Sequence, residues 1–172
     1  MSLFRRLFAK PDPQRDAAAR LVAAVMTGAR QPGLYLKGFA QDDFDGRFQM
    51  AALHGGIVMR RLKHLGGDAL VVSEKFGEAL FDRFDYAYRE EGVGDASIAR
   101  KVRKLGERYF GLARALDDAF DGGDEVADVL ARNGLGGEAT AGLAQYARAV
   151  DAHLATLPQE TVFQGMIEWP RP

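Results

Sequence analysis

Cysteine is absent from all 172 residues. Disulfides, thiolate metal sites and cysteine nucleophiles are therefore excluded. Histidine is scarce: only His54, His64 and His153 occur, and no two stand at a metal-ligand spacing. No apolar run approaches the ~20 residues that a helix needs to cross a bilayer. Neither sign of charge dominates: 23 Lys and Arg against 24 Asp and Glu give a formal net charge of -1. No bulk attraction to nucleic acid follows, although a local basic face remains open. There is no strand-turn-helix serine elbow, and no glycine-rich phosphate loop followed by lysine and a hydroxyl.

What is present is an ordinary globular balance, 47% hydrophobic and 27% charged, in a chain long enough for one domain with a core. Helical periodicity fills nearly all of it. Asp12-Pro13 reads as a helix start, with Leu21, Val22 and Val25 on the apolar side. Arg30-Gln31-Pro32-Gly33 breaks that helix. Leu34 to Phe39 is an apolar connector whose conformation the pattern leaves open. A helix from Asp42 or Asp43 toward Leu65 carries Phe44, Phe48, Ala51, Val58, Leu62 and Leu65 in one stripe. Met50, Leu53 and Ile57 widen the stripe until little stays polar, which places this helix mid-bundle. Gly55-Gly56 inside it costs helix propensity, and the expected compensation is close approach of a neighbouring helix.

After Gly66-Gly67, a helix from about Asp68 to Arg89 carries Leu70, Phe76, Leu80, Phe81 and Phe84. The next, opened by Asp95, holds Ile98, Val102, Leu105, Tyr109, Leu112, Leu116 and Phe120, spaced alternately four and three apart. A short helix near Asp124 to Arg132 and a long one from about Gly137 to Leu157 follow, and Pro158 stops the last. The expected architecture is an all-α, single-domain helical bundle with short connections. Residues 1–11 form a basic amphipathic arm, 12–157 the helical domain, and 158–172 a C-terminal tail. In the arm, Leu3, Phe4, Leu7 and Phe8 share helical spacing among Arg5, Arg6 and Lys10. It suits either an anionic membrane surface or a short arm packed on the domain or left mobile, and its shortness opposes the membrane reading.

The most distinctive segment is a polar corner. Arg89-Glu90-Glu91 leads into Gly92-Val93-Gly94, where glycine permits restricted backbone geometry, and then into Asp95, which suits an N-cap. Gly92 and Gly94 form the structural hinge. The corner serves either as a recognition surface or as capping plus an ion pair. Beyond it, Arg100, Lys101, Lys104 and Arg108 project to one side of the apolar stripe, toward solvent, an acidic peptide, phosphates or lipid headgroups. No base-reading motif accompanies them. His54, on the broadly apolar helix, is expected in a buried polar network with Arg47, Asp82 and Asp85. Asp42, Asp43, Asp45, Asp82 and Asp85 also raise a magnesium-diphosphate enzyme, which the chain length and the incomplete acidic motifs oppose.

Phe44-Asp45-Gly46-Arg47-Phe48, Leu53-His54, Phe81-Asp82 with Phe84-Asp85, Arg89-Glu90 with Gly92 to Asp95, and Tyr109 to Gly111 occur in an order that resembles the ubiquinol-cytochrome c chaperone family. The likeness covers roughly Tyr35 to Phe120. It implies an assembly chaperone for the cytochrome bc1 complex that holds newly made cytochrome b, or another bc1 subunit, without covalent chemistry. It implies no cofactor, no metal and no specific nucleic acid. The N-terminus lacks the pattern of a secretion signal, so the expected compartment is the cytoplasm, or an organelle matrix if a presequence has been removed, and the resemblance adds a peripheral position at the inner face of the plasma membrane. Mitochondrial members work with a small second assembly factor, which the sequence neither includes nor excludes here. Under this reading Tyr35, Phe39, Tyr86 and Tyr88 line a groove, while Arg89, Glu90, Asp95, Lys101 and Lys104 orient the partner. The competing readings are a metal-dependent helical enzyme acting on a diphosphate and a basic-helix adaptor for nucleic acid or ribosomes.

Overall fold

A computed structural model of the chain describes residues 12–90 and 94–172, apart from the side chains of Asp95 and Ala96. The arm 1–11 and Gly92 lie outside the described residues. Among them the structure is helical with no strand: α1 (Pro13–Gly28), α2 (Pro32–Leu36), α3 (Phe44–Leu65), α4 (Asp68–Glu90), α5 (Asp95–Phe120), α6 (Val126–Arg132), a 3-10 turn (Gly137–Ala139), α7 (Thr140–Thr156) and α8 (Gln159–Phe163).

Local chemistry sets most of these boundaries. Asp12 caps α1 by accepting from the Arg15 amide at 3.0 Å, with Pro13 in the first turn. Asp43 caps α3 by accepting from the Gly46 amide at 2.8 Å. Gly66 ends α3 with φ at +67°, a conformation that other residues rarely adopt. The connector left open by the pattern is the short helix α2, whose Tyr35 hydroxyl donates to the Ala29 carbonyl at 2.7 Å. At the corner the start of α5 lies one residue earlier than expected. Gly94 holds the N-cap position and Asp95 is the first helical residue. Gly94 sits at φ -64°, ψ 140°, ordinary extended backbone, so no left-handed geometry is needed there.

Helix α3 is the axis of the bundle, buried without interruption from Met50 to Val58. Helix α5 lies parallel to it: Asp45 meets Arg108, Gly55 meets Tyr109 and Arg60 meets Asp117. The glycine pair explains how closely the two helices approach. A Cβ at Gly55 would stand 3.0 Å from the Tyr109 hydroxyl, and one at Gly56 would stand 3.2 Å from the Ala113 Cα. The periodic stripe of α5 faces this seam, with Ile98, Leu105, Tyr109, Leu112 and Leu116 buried and Val102 and Phe120 half-buried. Helices α1 and α4 pack together on another side of α3, and α6 and α7 complete the core.

Residues 158–172 are built into the bundle. Helix α8 buries Val162, and Arg20 donates to the Phe163 carbonyl at 2.9 Å. Gly165 turns at φ +67° over the Arg20 backbone. Trp169 then reaches α1, where its Nε1 donates to the Ala24 carbonyl at 3.0 Å.

Candidate functional site

The residues assigned to partner binding divide into several environments. Phe39 does not line a groove. It is buried, tilted against Tyr146 at 6.4 Å and pressed on Gly142, because the turn after α2 directs it inward. Tyr35 is half-buried and hydrogen-bonded. Tyr86 is half exposed, with the Arg83 guanidinium 5.8 Å from its ring centre. Tyr88 is half-buried on Phe44, ring centres 4.7 Å apart, with the Lys101 ammonium 5.3 Å from its ring centre. Glu90 and Lys104 are exposed. Arg89 pairs with Asp85 at 2.8 Å, one turn earlier on α4. Nothing is described of the Asp95 side chain. Thus Tyr88, Lys101 and Phe44 do meet at the corner, while Tyr86 lies beside Arg83.

The expected network of Arg47, His54, Asp82 and Asp85 does not assemble. Arg47 is exposed and pairs with Asp42 at 2.8 Å. Asp82 is exposed, and Asp85 pairs with Arg89. Only His54 is buried. Its Nδ1 donates to the Met50 carbonyl at 2.7 Å, and its Nε2 accepts from the Tyr146 hydroxyl at 2.7 Å. Tyr146 in turn accepts from the Gln31 amide at 3.1 Å, and Trp169 meets the imidazole edge-on at 4.9 Å. Burial pushes the imidazole down to about 4, against the pull of the Met50 carbonyl. A neutral ring between one acceptor and one hydroxyl donor is a satisfied core group, held by α7 rather than by α4.

Among the described residues the acids do not converge on a common empty point. His64, Asp117 and Asp121 come within 4.8 Å of one another. However, Arg60 reaches Asp117 at 2.5 Å, Asp121 at 2.6 Å and Asp151 at 3.2 Å, and Lys63 reaches Asp117 at 2.6 Å. Both carboxylates are held below their usual range. Desolvation opposes this at Asp117, where the Lys63 and Arg60 bonds prevail; at Asp121 the Arg60 bond leads. Their lone pairs already serve two cations, and the cluster acts as a clasp across α3, α5 and α7. Sequence reasoning missed this clasp because Arg60, Asp117 and Asp151 stand far apart in the chain.

Among the described residues an open surface lies along α1. A cleft of about 690 Å³ is lined by Ala19, Val22, Ala23, Met26, Arg30 and Arg83, among others. Ala19 and Ala23 are exposed, whereas Val22 and Met26 rest partly on the core. Around Arg30 and Pro32 it joins a second cleft, of about 410 Å³, bordered by Tyr35 and Leu36. Leu36 is 86% exposed, unusual for leucine. A third, of about 360 Å³, runs from Met26 and Arg30 to Phe44, Phe84 and Glu90. Tyr35 and Glu90, picked out by sequence, border this branched groove, and Tyr86 adjoins it through Arg83. Its alanine floor was missed because alanines on α1 resemble filler in a one-dimensional pattern.

No helix among the described residues is long and apolar enough to cross a membrane. No curated protein matches the chain. A crystal structure of the Cbp3 homolog from Brucella abortus shares the fold, with a TM-score of 0.77 and 23% sequence identity over 98% of this chain and 94% of that one. The family model described as Ubiquinol-cytochrome C chaperone matches residues 40–169, from the turn after α2 to Trp169. With most of the bundle inside that match, the chain belongs to the ubiquinol-cytochrome C chaperone family.

Proposed function

We propose that this protein is a holding chaperone for assembly of the cytochrome bc1 complex, and that it receives newly made cytochrome b in the groove along α1. The observation that carries this reading is the groove itself: an apolar floor of Ala19, Val22, Ala23 and Met26, open among the described residues and continued past Arg30 to the exposed Leu36. An exposed apolar surface of this kind marks a site where another molecule is covered. Family membership supplies the client class. The mechanism is shielding without covalent chemistry: an immature segment rests on α1 until its final partners arrive. Tyr35 and Tyr86 add rigid contact area, and Glu90, Lys101 and Lys104 orient the client at the corner. The site of action is the membrane periphery, where the client emerges.

The test is complementation of a deletion strain. Ala23→Trp fills the floor from an exposed position and leaves the fold intact by circular dichroism. Difference spectra of b- and c-type haems in its membranes are expected to show bc1 loss equal to that of the deletion. Normal bc1 content in the deletion strain would overturn the chaperone reading, and normal content in the Ala23→Trp strain would overturn the groove as its site.

A further inference from the structure

The charges on the groove define what fits it. Arg30 and Arg83 both line the cleft over the alanine floor, and both are exposed. Among the described residues neither makes an ion pair; Arg83 lies only near the Tyr86 ring. Other cations nearby are engaged: Arg47 with Asp42, Lys75 with Asp12 and Arg20 with the Phe163 carbonyl. Two arginines that meet no carboxylate among the described residues leave the rim positive beside an apolar bed.

Backbone chemistry narrows the occupant further. The floor is one side of a helix whose amides and carbonyls are already bonded within α1. An extended peptide would find no strand edge to pair with and would bury unpaired backbone groups, whereas a helix satisfies its own. Small residues one turn apart, Ala19 and Ala23, let a second helix approach closely. From Ala19 to Arg30 the floor spans about 16 Å, three turns of helix at the usual rise.

We propose that the segment held in this groove is an amphipathic helix with an apolar face and carboxylates at its margins, which Arg30 and Arg83 receive. The assignment rests on the reading of the groove as the client site and names the chemical class of the client. The arginines contribute selectivity and encounter rate more than raw affinity, since rim pairs stay hydrated.

The test uses the full chain and two labelled amphipathic peptides of about 14 residues, the length at which an isolated helix begins to persist. The peptides are identical except that glutamates on the polar margin of one become lysines in the other. The expected result is that the glutamate peptide binds about tenfold more tightly, with affinity falling as salt rises. Arg30→Glu with Arg83→Glu reverses the preference, while Arg114→Glu, elsewhere on the surface of α5, leaves it unchanged. In the host, a photo-crosslinker at Met26 is expected to capture an acidic helical segment. Equal binding of the two peptides, or capture of a basic segment or of lipid, would overturn the proposal. Failure of this inference is distinguishable from failure of the functional reading. If Ala23→Trp abolishes bc1 assembly while the double arginine reversal leaves it normal, the groove stands and the acidic class falls. If both variants assemble bc1 normally, both fall.

Discussion

The indole of Trp169 occupies the space that a side chain at Gly28 would need: a Cβ there would come within 2.6 Å of the ring. The C-terminal segment is thus keyed to α1 by the lack of a side chain. Gly28→Ala raises helix propensity yet must displace the indole, and a net loss of about 1–3 kcal/mol is expected. Trp169 is the only tryptophan, so its emission reports the change directly. A red-shifted native spectrum and a lower urea midpoint are the expected outcome; an unshifted spectrum with an unchanged midpoint would refute it.

Acid should weaken the fold through His54. Its folded value of about 4 lies below the ordinary 6.5, so the unfolded chain takes up a proton that the folded chain refuses. The associated stability is complete above 6.5 and declines as pH falls toward 4, by on the order of 3 kcal/mol in all. Unfolding free energies measured from pH 7.5 down to about 5, before most carboxylates protonate, should fall steadily. The slope should flatten in His54→Gln, whatever that variant's absolute stability. An equal slope in both proteins would remove His54 as the cause.

Gly56→Ala adds a methyl group facing the Ala113 Cα at 3.2 Å. A backbone atom yields only if α3 and α5 separate. The propensity gain of about 1 kcal/mol should therefore be outweighed by overpacking of about 1–3 kcal/mol. Gly77→Ala, with nothing within 4 Å of the added atom, keeps the propensity gain and is expected to stabilise. Thermal midpoints moving in the same direction for the two variants would contradict this.

Arg60→Ala leaves Asp117, Asp121 and Asp151 facing one another without their shared cation. A loss of about 3 kcal/mol is expected near neutral pH. Asp117 and Asp121 titrate below 3.8 in the intact clasp, so their contribution is present above that value and lost as pH falls through their folded values. The gap between the variant and the original protein should narrow only below 3.8, and denaturant titrations at pH 7 and at about pH 2.5 would measure it. A gap that widens in acid would contradict the clasp.

The helices were legible because their signals are local. Asp12-Pro13, Asp43, Gly66 and the four-three spacing on α5 each act within a few residues. Gly55-Gly56 was readable as a close approach because glycine inside a long apolar helix has little other use. The site was far less legible. Phe39 and Leu36 are both apolar and three residues apart, yet one is buried and the other is the most exposed leucine among the described residues, a difference set by the turn at Gly38 (φ +71°). The sequence pairs His54 with Arg47 on its own helix and with Asp82 and Asp85 on α4, whereas its partner Tyr146 lies 92 residues away on α7. Such pairings depend on how helices are laid side by side, and no spacing within one helix encodes that.

The Arg60 clasp also divides the labour between the two ends of the bundle. At its own end, a single mostly buried guanidinium fastens three helices. At the other end, near Tyr88 and Arg108, the crossings are exposed pairs such as Arg108 with Asp45. Salt weakens the second kind far more than the first. Raising ionic strength should therefore loosen the molecule unevenly, like a book bound along one edge, with the pages parting first where the polar corner lies.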